Sequence, residues 1–145
     1  MKIVIQRVTQ AKVEVENKIV GSIGIGVVVF AGFTHGDTAE QGAWMANKLI
    51  NLRIFEDEQG KINRSILDCK GAALIISQFT LYGDCNGGRR PSFTKAADPE
   101  IAKRLYDQFI DEVRRGGIPV ETGIFAAQMK VDLINDGPLT FVLER

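Results

Sequence analysis

The chain has 145 residues, 45% of them hydrophobic and 25% charged, and its 18 basic residues balance 18 acidic ones. This length and composition predict one domain, residues 1–145, with room for a hydrophobic core. Zero net charge argues against a protein that coats nucleic acid, but it is compatible with a local site for one RNA end. No run approaches the ~18 apolar residues of a membrane span. Two cysteines, Cys69 and Cys85, are too few for a disulfide framework, so we predict free thiols and a cytoplasmic location.

Eight segments show the period-two alternation or the short apolar run that is typical of β-strands. In the first segment, Ile3, Ile5 and Arg7 fall on one face, so a charged side chain stands in an apolar row. Residues 25–33 form a dense apolar run that suits a strand buried on both faces. The eight predicted strands are residues 2–8, 12–16, 25–33, 52–55, 72–79, 118–123, 129–134 and 139–143.

Two segments predict helices. Asp37 would begin the first, because Glu40 follows three residues later as in a capping box. Asp98 would cap the second, with Pro99 at its first helical position and Gly116-Gly117 at its end. Many strands, two helices and no βαβ alternation predict an α+β fold, with a mostly antiparallel, barrel-like sheet and the helices packed on it.

The second predicted helix has one apolar stripe that would face the sheet. The stripe consists of Ile101, Ala102, Leu105, Phe109 and Val113. Before this helix, residues 83–92 contain three glycines and a proline and are predicted to form a loop. Arg89, Arg90 and Lys95 in and beside this loop could contact phosphates, although surface charges of this kind occur in any protein.

The sequence lacks the ionisable cluster of a conventional hydrolase. His35 is the only histidine, and no cysteine or carboxylate cluster accompanies it. A zinc site and a Ser-His-Asp triad are therefore both disfavoured, and His35 is better interpreted as a surface loop residue. We predict no metal and no cofactor.

Polar residues at the end of the predicted strand 72–79 form the first candidate site. Ser77, Gln78 and Thr80 stand where an apolar run stops, and polar groups in such a place need local partners or a ligand. The backbone N–H groups of the turn could hold a developing oxyanion. Thr80 could act as a nucleophile only with a base, and the sequence shows none. Satisfaction of nearby backbone groups is the alternative reading.

Further candidates are scattered along the chain. Arg7 needs a partner if it is half-buried, either backbone carbonyls or a site. Phe125 and Met129 suit the face of a nucleobase, but core packing is the alternative. Gly137-Pro138 marks a turn whose peptide bond could be of either isomer. If it were cis, its two parallel carbonyls could accept hydrogen bonds from one ammonium group.

Two segments, Ser77–Gly83 and Asn135–Thr140, resemble the signature motifs of the D-aminoacyl-tRNA deacylases, which are homodimeric enzymes that hydrolyse the ester between a D-amino acid and tRNA. The similarity extends over nearly the whole chain. It includes Gln6–Val8, Asn51–Phe55, Gly60–Asn63 and Arg90–Phe93. The chain departs from the family at Leu139, where valine is common, and at Ala126, where glycine is usual.

The resemblance implies a homodimer with an active site at the interface. Gly137-Pro138 would be cis and would enter the pocket of the partner subunit, with Arg7 bracing the loop. Its carbonyls would hold the substrate's α-ammonium group and leave no room for an L side chain. D-aminoacyl-tRNA would pass this filter, and so would glycyl-tRNA, including glycine mischarged on alanine tRNA.

The resemblance also implies roles within the pocket. Ser77, Gln78, Phe79 and Thr80 would line it, with the Phe79 N–H contacting the ester carbonyl. Phe125 and Met129 would hold the terminal adenine of the tRNA 3′ end. The 2′-hydroxyl of the terminal ribose, and not a protein nucleophile, would assist catalysis. The alternatives are a non-catalytic nucleic-acid-binding module of the same fold and a threonine hydrolase that acts on small D-amino acid esters.

Overall fold

The computed structural model describes residues 1–145 and contains eight strands and two α-helices. The strands are β1 (Lys2–Val15), β2 (Lys18–Ile23), β3 (Gly26–Gly32), β4 (Phe55–Glu56), β5 (Ile62–Arg64), β6 (Ala72–Ser77), β7 (Val120–Thr122) and β8 (Lys130–Glu144). The helices are α1 (Ala39–Asn51) and α2 (Pro99–Arg115), and a 3-10 turn covers Phe79–Tyr82. Neither α-helix is long and apolar enough to cross a membrane.

Six strands form one mixed sheet around the long strand β1. Their order is β2-β1-β3-β6-β7, and β8 pairs with β1 as well. The first half of β1 pairs with β3 and the second half with β2, both antiparallel, while β8 runs antiparallel along its other side. One strand with three neighbours bends the sheet towards a nearly closed, barrel-like shape. The α+β class with two helices and a barrel-like core is therefore confirmed.

The predicted absence of βαβ units is wrong. β6 pairs parallel with both β3 and β7. α1 lies in the connection from β3 to β6, and α2 in the connection from β6 to β7, as parallel neighbours require a long crossover. The alternation is hidden in the sequence because the β4–β5 hairpin interrupts the first crossover and β7 has only three residues.

Two pairs of predicted strands are single strands. Residues 2–8 and 12–16 both belong to β1, and residues 129–134 and 139–143 both belong to β8. The pairing of β1 with β8 shifts register twice, on either side of Val8. Such bulges interrupt the period-two pattern without ending the strand, which explains why the sequence pattern breaks there.

The predicted strand 52–55 is displaced, since β4 begins only at Phe55 and pairs with β5. The carbonyl of Ile54 does not enter a sheet ladder but accepts a hydrogen bond from Arg7 Nη1 (2.9 Å). A side-chain partner thus replaces the strand neighbour that the alternation of residues 52–55 suggested.

The core lies on both faces of the sheet, in a cluster of 24 buried residues beneath the helices and a smaller cluster of seven on the other face. β3 shows the division most directly. Val27 and Val29 belong to the larger cluster and Val28 to the smaller one, and all three are fully buried. The prediction that this strand is buried on both faces is confirmed.

The first helix starts two residues later than predicted. Thr38 is the N-cap of α1, and the capping box pairs it with Gln41, whose Oε1 accepts the Thr38 N–H (2.7 Å). The Asp37 carboxylate instead accepts the N–H of Thr34 (2.8 Å) and so closes the turn before the helix. The expected box of Asp37 and Glu40 is therefore wrong by one residue.

The second helix begins with Asp98 as N-cap and Pro99 next to it, as predicted. Its buried face is offset from the predicted stripe. Ile101 is exposed, whereas Tyr106 and Ile110 are buried. The buried set begins at Ala102 and repeats every three or four residues, so Ile101 falls about a quarter turn away at the edge of the contact with the sheet.

Candidate active site

A pocket of about 480 Å³ opens beside the end of β6. Its walls come mainly from three parts of the chain, around residues 76–79, 96–99 and 125–129. Fifteen residues line it, twelve of them hydrophobic, and none has an ionisable side chain. Any proton transfer in this pocket must therefore use the substrate, water or groups outside the walls.

The polar end of β6 is a sharp turn. The predicted strand 72–79 stops at Ser77, and the Gln78 N–H makes a sheet-like hydrogen bond to the Ala31 carbonyl (2.7 Å). The following 3-10 turn begins when Leu81 N–H bonds the Gln78 carbonyl (3.3 Å). The N–H groups of Phe79 and Thr80 precede this first bond, so the turn itself offers them no acceptor.

Thr80 has a hydrogen-bond partner but no base. Gln78 Nε2 donates to Thr80 Oγ1 at 2.5 Å, an interaction that occupies a lone pair of the hydroxyl and leaves its proton in place. The single histidine, His35, has its Nε2 at 3.1 Å from the Thr94 carbonyl and does not line the pocket. A neutral amide cannot accept the proton that a nucleophilic hydroxyl must lose.

Phe125 and Met129 line the same pocket as Ser77, Gln78 and Phe79. The Phe125 ring tilts against the ring of Tyr106, with centroids 5.8 Å apart. Tyr106 is fixed in turn, because its hydroxyl donates to the Ile75 carbonyl (2.7 Å) and burial raises its pKa far above that of a free tyrosine. The aromatic wall of the pocket is thus supported by a buried, neutral phenol.

Arg7 is only 4% exposed and is held by three groups. Its Nη1 donates to the Ile54 carbonyl, and its Nε lies 2.9 Å from Asp136 Oδ2. Its Nη2 lies 3.7 Å from Glu56 Oε1. A guanidinium this deeply buried requires such partners, and they tie β1 to the segment around β4 and to the middle of β8.

The middle of β8 forms a closed loop. Asn135 Nδ2 donates both to the Arg7 carbonyl and to the Leu139 carbonyl, each at 2.9 Å. Between them the Gly137–Pro138 peptide bond is cis, and Gly137 has φ +121°, a conformation that disfavours residues with a side chain. Neither Gly137 nor Pro138 lines the pocket, and Arg7 does not line it either.

Comparison with known proteins identifies the family. A family model described as D-Tyr-tRNA(Tyr) deacylase matches residues 4–144. The chain belongs to this family. It is 56% identical to a D-aminoacyl-tRNA deacylase of Geobacter sulfurreducens (99% of this chain, 95% of the relative). It is 57% identical to one of Desulfotalea psychrophila (99% and 97%). A solved structure titled c-Myc DNA Unwinding Element Binding Protein has a TM-score of 0.95 at 39% identity (100% and 99%).

Membership of the deacylase family confirms the sequence-based prediction of the family and of a hydrolytic enzyme. The structure of this family member brings together five of the predicted site residues in or beside one pocket. These are Ser77, Gln78, Phe79, Phe125 and Met129, with Thr80 hydrogen-bonded next to them. It places Arg7, Gly137 and Pro138 in a second, charged region outside the pocket walls.

Sequence reasoning missed one wall of the deacylase pocket. Ala96, Ala97 and Pro99 line it at the start of α2. This wall is fastened to the end of β3 by a hydrogen bond from Ala97 N–H to the Phe33 carbonyl (3.0 Å). The helix start at Pro99 was visible in the sequence, but small apolar residues before a helix carry no signal of a binding wall.

Proposed function

We propose that this chain is an editing hydrolase that cleaves the ester of D-aminoacyl-tRNA and releases free amino acid and tRNA. The observation that carries the proposal is the position of Ser77-Gln78-Phe79, a signature of the family, on the wall of the pocket in a member of that family. The pocket volume, about 480 Å³, lies in the usual range for small-ligand sites and suits an aminoacyl group with its terminal adenosine.

The proposed chemistry relies on backbone and substrate groups. The Phe79 N–H, which has no acceptor in its own turn, would donate to the ester carbonyl oxygen as it gains negative charge. Water would add to the carbonyl carbon and the ribose oxygen would leave. Since the walls offer no ionisable group, the 2′-hydroxyl of the terminal ribose would assist the proton transfers. Phe125 and Met129 would hold the terminal adenine.

The proposed chiral filter requires a second copy of the chain. Gly137-Pro138 does not line the pocket of its own chain, and β8 pairs only with β1. The exposed Ile134 and Val142 on β8 offer apolar area to a partner. In a homodimer the loop would enter the other subunit's pocket, and Arg7 would brace it. The loop carbonyls would hold the α-ammonium group and exclude L side chains, while glycyl-tRNA, including glycine on alanine tRNA, would be accepted.

Two other functions compete with this proposal. The relative titled c-Myc DNA Unwinding Element Binding Protein, 39% identical over the whole chain, favours a nucleic-acid-binding module without catalysis. A threonine hydrolase acting on small D-amino acid esters would need a base beside Thr80, and its hydroxyl has only the Gln78 amide. The free cysteines, one of them the exposed Cys85, support a reducing cytoplasmic location for the reaction.

The test is release of amino acid from matched D-Tyr-tRNA, L-Tyr-tRNA and Gly-tRNA by the purified protein, with glycine on alanine tRNA as a fourth substrate. Cleavage of the D and glycyl esters with the L ester spared supports the editing function and the filter together. Cleavage of none of them by a folded dimer supports the binding module. Preferential cleavage of small D-amino acid esters supports the threonine hydrolase.

A further inference from the structure

Two phenylalanine rings stand exposed together at the mouth of the pocket. Phe79 is 57% exposed and Phe93 is 40% exposed, and their ring centroids lie 5.0 Å apart in an edge-to-face arrangement. Phe79 also lines the pocket. Large aromatic side chains are usually buried, so an exposed pair next to a binding pocket indicates a surface that contacts a ligand.

The second ring is held in place from behind. Gly83 packs directly against Phe93, so that a Cβ on Gly83 would lie 3.0 Å from the ring. Asp84 and Ser92 exchange two backbone hydrogen bonds of 2.7 and 2.9 Å, which close the loop between them. The Asp84 carboxylate accepts hydrogen bonds from Asn86 N–H and Lys95 Nζ, which lower its pKa. Phe93 is therefore presented by a closed loop and not by a free chain end.

The loop that ends in Phe93 carries positive charge without a counter-ion. Arg89 and Arg90 are exposed and form no ion pair, whereas the nearby Lys95 is paired with Asp84. Aromatic faces for bases beside basic groups for phosphates are the combination with which proteins bind single-stranded nucleic acid. A protein partner would find no such use for two adjacent unpaired arginines.

We propose that the Phe79–Phe93 pair is a stacking platform for the base that precedes the terminal adenosine of the substrate RNA, with Arg89 and Arg90 contacting the neighbouring phosphates. The proposal rests on the proposed function, which puts the terminal adenosine in the pocket. A pocket of about 480 Å³ holds one nucleoside with its aminoacyl group, so the preceding nucleotide must lie at the mouth. The exposed rings stand there.

The first experiment measures binding of fluorescently labelled RNA that ends in CCA, intact or with an abasic ribose at the penultimate position. For the unchanged protein we expect the abasic RNA to bind about tenfold more weakly, which is a typical loss for one stacked base. Phe93→Leu should bind the intact RNA about tenfold more weakly and show no further loss with the abasic RNA. Phe93→Tyr should behave like the parent. Trp44→Leu, which changes an equally exposed aromatic residue (42%) on α1, should have no effect.

The second experiment separates this platform from the catalytic proposal. With Phe93→Leu, we expect kcat/KM for D-Tyr-tRNA to fall about tenfold through KM, and kcat/KM for the ester of D-tyrosine with adenosine to stay within about twofold. If the parent cleaves neither ester, the proposed function fails, and the RNA binding still decides the platform. An equal abasic penalty in the parent and in Phe93→Leu would overturn it. The same holds if Phe93→Leu weakens self-association in sedimentation and leaves that penalty unchanged, because the rings then belong to a subunit interface.

Discussion

The pocket at Ser77–Phe79 and the loop at Asp136–Pro138 use opposite chemistry. The pocket walls contain no ionisable side chain, and its polar groups are an amide, a hydroxyl and backbone N–H groups. The loop is fastened by the buried guanidinium of Arg7, which contacts Asp136, Glu56 and the Ile54 carbonyl. Charge is thus used where the backbone must be held, and it is absent where the ester would react.

This difference has a physical reason. Rejecting an L side chain by shape depends on a loop that does not yield, and charge-assisted hydrogen bonds to a buried guanidinium are among the stronger non-covalent restraints. Hydrolysis of an ester demands less of the protein, because oriented N–H groups in a water-poor pocket stabilise the oxyanion without a formal charge. Four experiments test the comparison, starting with the largest expected effect.

The first changes the substrate in the uncharged region. D-Tyr-tRNA that ends in 2′-deoxyadenosine retains the 3′ ester but lacks the neighbouring hydroxyl. We expect the catalysed rate to fall about 100-fold or more, which is the usual contribution of a positioned acid-base group. Single-turnover hydrolysis measures it, with the uncatalysed hydrolysis of both esters as control. An unchanged catalysed rate would mean that a protein group performs this task.

The second breaks the charged region. Arg7→Gln removes the contacts to Asp136, Glu56 and Ile54, so we expect a loss of about 1–3 kcal/mol in the free energy of unfolding. We also expect the ratio of D to L activity to fall about tenfold, since small displacements at a site have large effects. Urea unfolding and paired D-Tyr-tRNA and L-Tyr-tRNA assays measure the two quantities.

The matched control for Arg7 is Lys12→Gln on the same strand. Lys12 Nζ lies 3.6 Å from Asp132 Oδ2, but both side chains are largely exposed. An exposed pair contributes little, so unfolding should change by less than about 1 kcal/mol and the D to L ratio should not change. A folded Arg7→Gln protein that rejects the L ester as well as the parent does would disprove the bracing role.

The third returns to the pocket with a smaller effect. Thr80→Ala removes a hydroxyl whose only partner is Gln78 Nε2, and we expect kcat to stay within about threefold of the parent. Loss of a true nucleophile removes several orders of magnitude. Single-turnover assays on D-Tyr-tRNA with Thr80→Ala and Thr80→Ser make the measurement. If only the serine variant remains active, the threonine hydrolase is the better description.

The two regions also differ in how far the sequence predicts them. Ser77, Gln78 and Thr80 were found because a buried strand visibly ends there, and that local pattern requires no knowledge of distant neighbours. The partners of Arg7 could not be found in this way, since Ile54 and Asp136 meet it only through the sheet and its bulges. Strand alternation states which face a side chain occupies, but it does not state what crosses that face.

The same limit explains the errors in the fold. The parallel pairing of β6 with β7 depends on where α2 returns the chain, and a strand of three residues has too little pattern to show it. The bulges in β1 hid a continuous strand of fourteen residues behind two apparent ones. Local signals were reliable at helix α2, where Asp98 and Pro99 define the start by their own chemistry.

The smallest expected effect concerns the pocket wall at Ala126. Its φ is +62°, and an L residue in that region is strained by about 1–2 kcal/mol. Ala126→Gly relieves the strain but adds about 0.5–1 kcal/mol of chain entropy to the unfolded state, so we expect a net gain of about 0.5–1 kcal/mol in urea unfolding. Ala127→Gly, next to it and without a positive φ, has only the entropic loss and should destabilise by about that amount. Opposite signs for two adjacent alanine-to-glycine changes would show that the backbone at residue 126, like that at Gly137, is set by the site and not by the residue's own preference. Equal destabilisation by both would show that Ala126 is not strained.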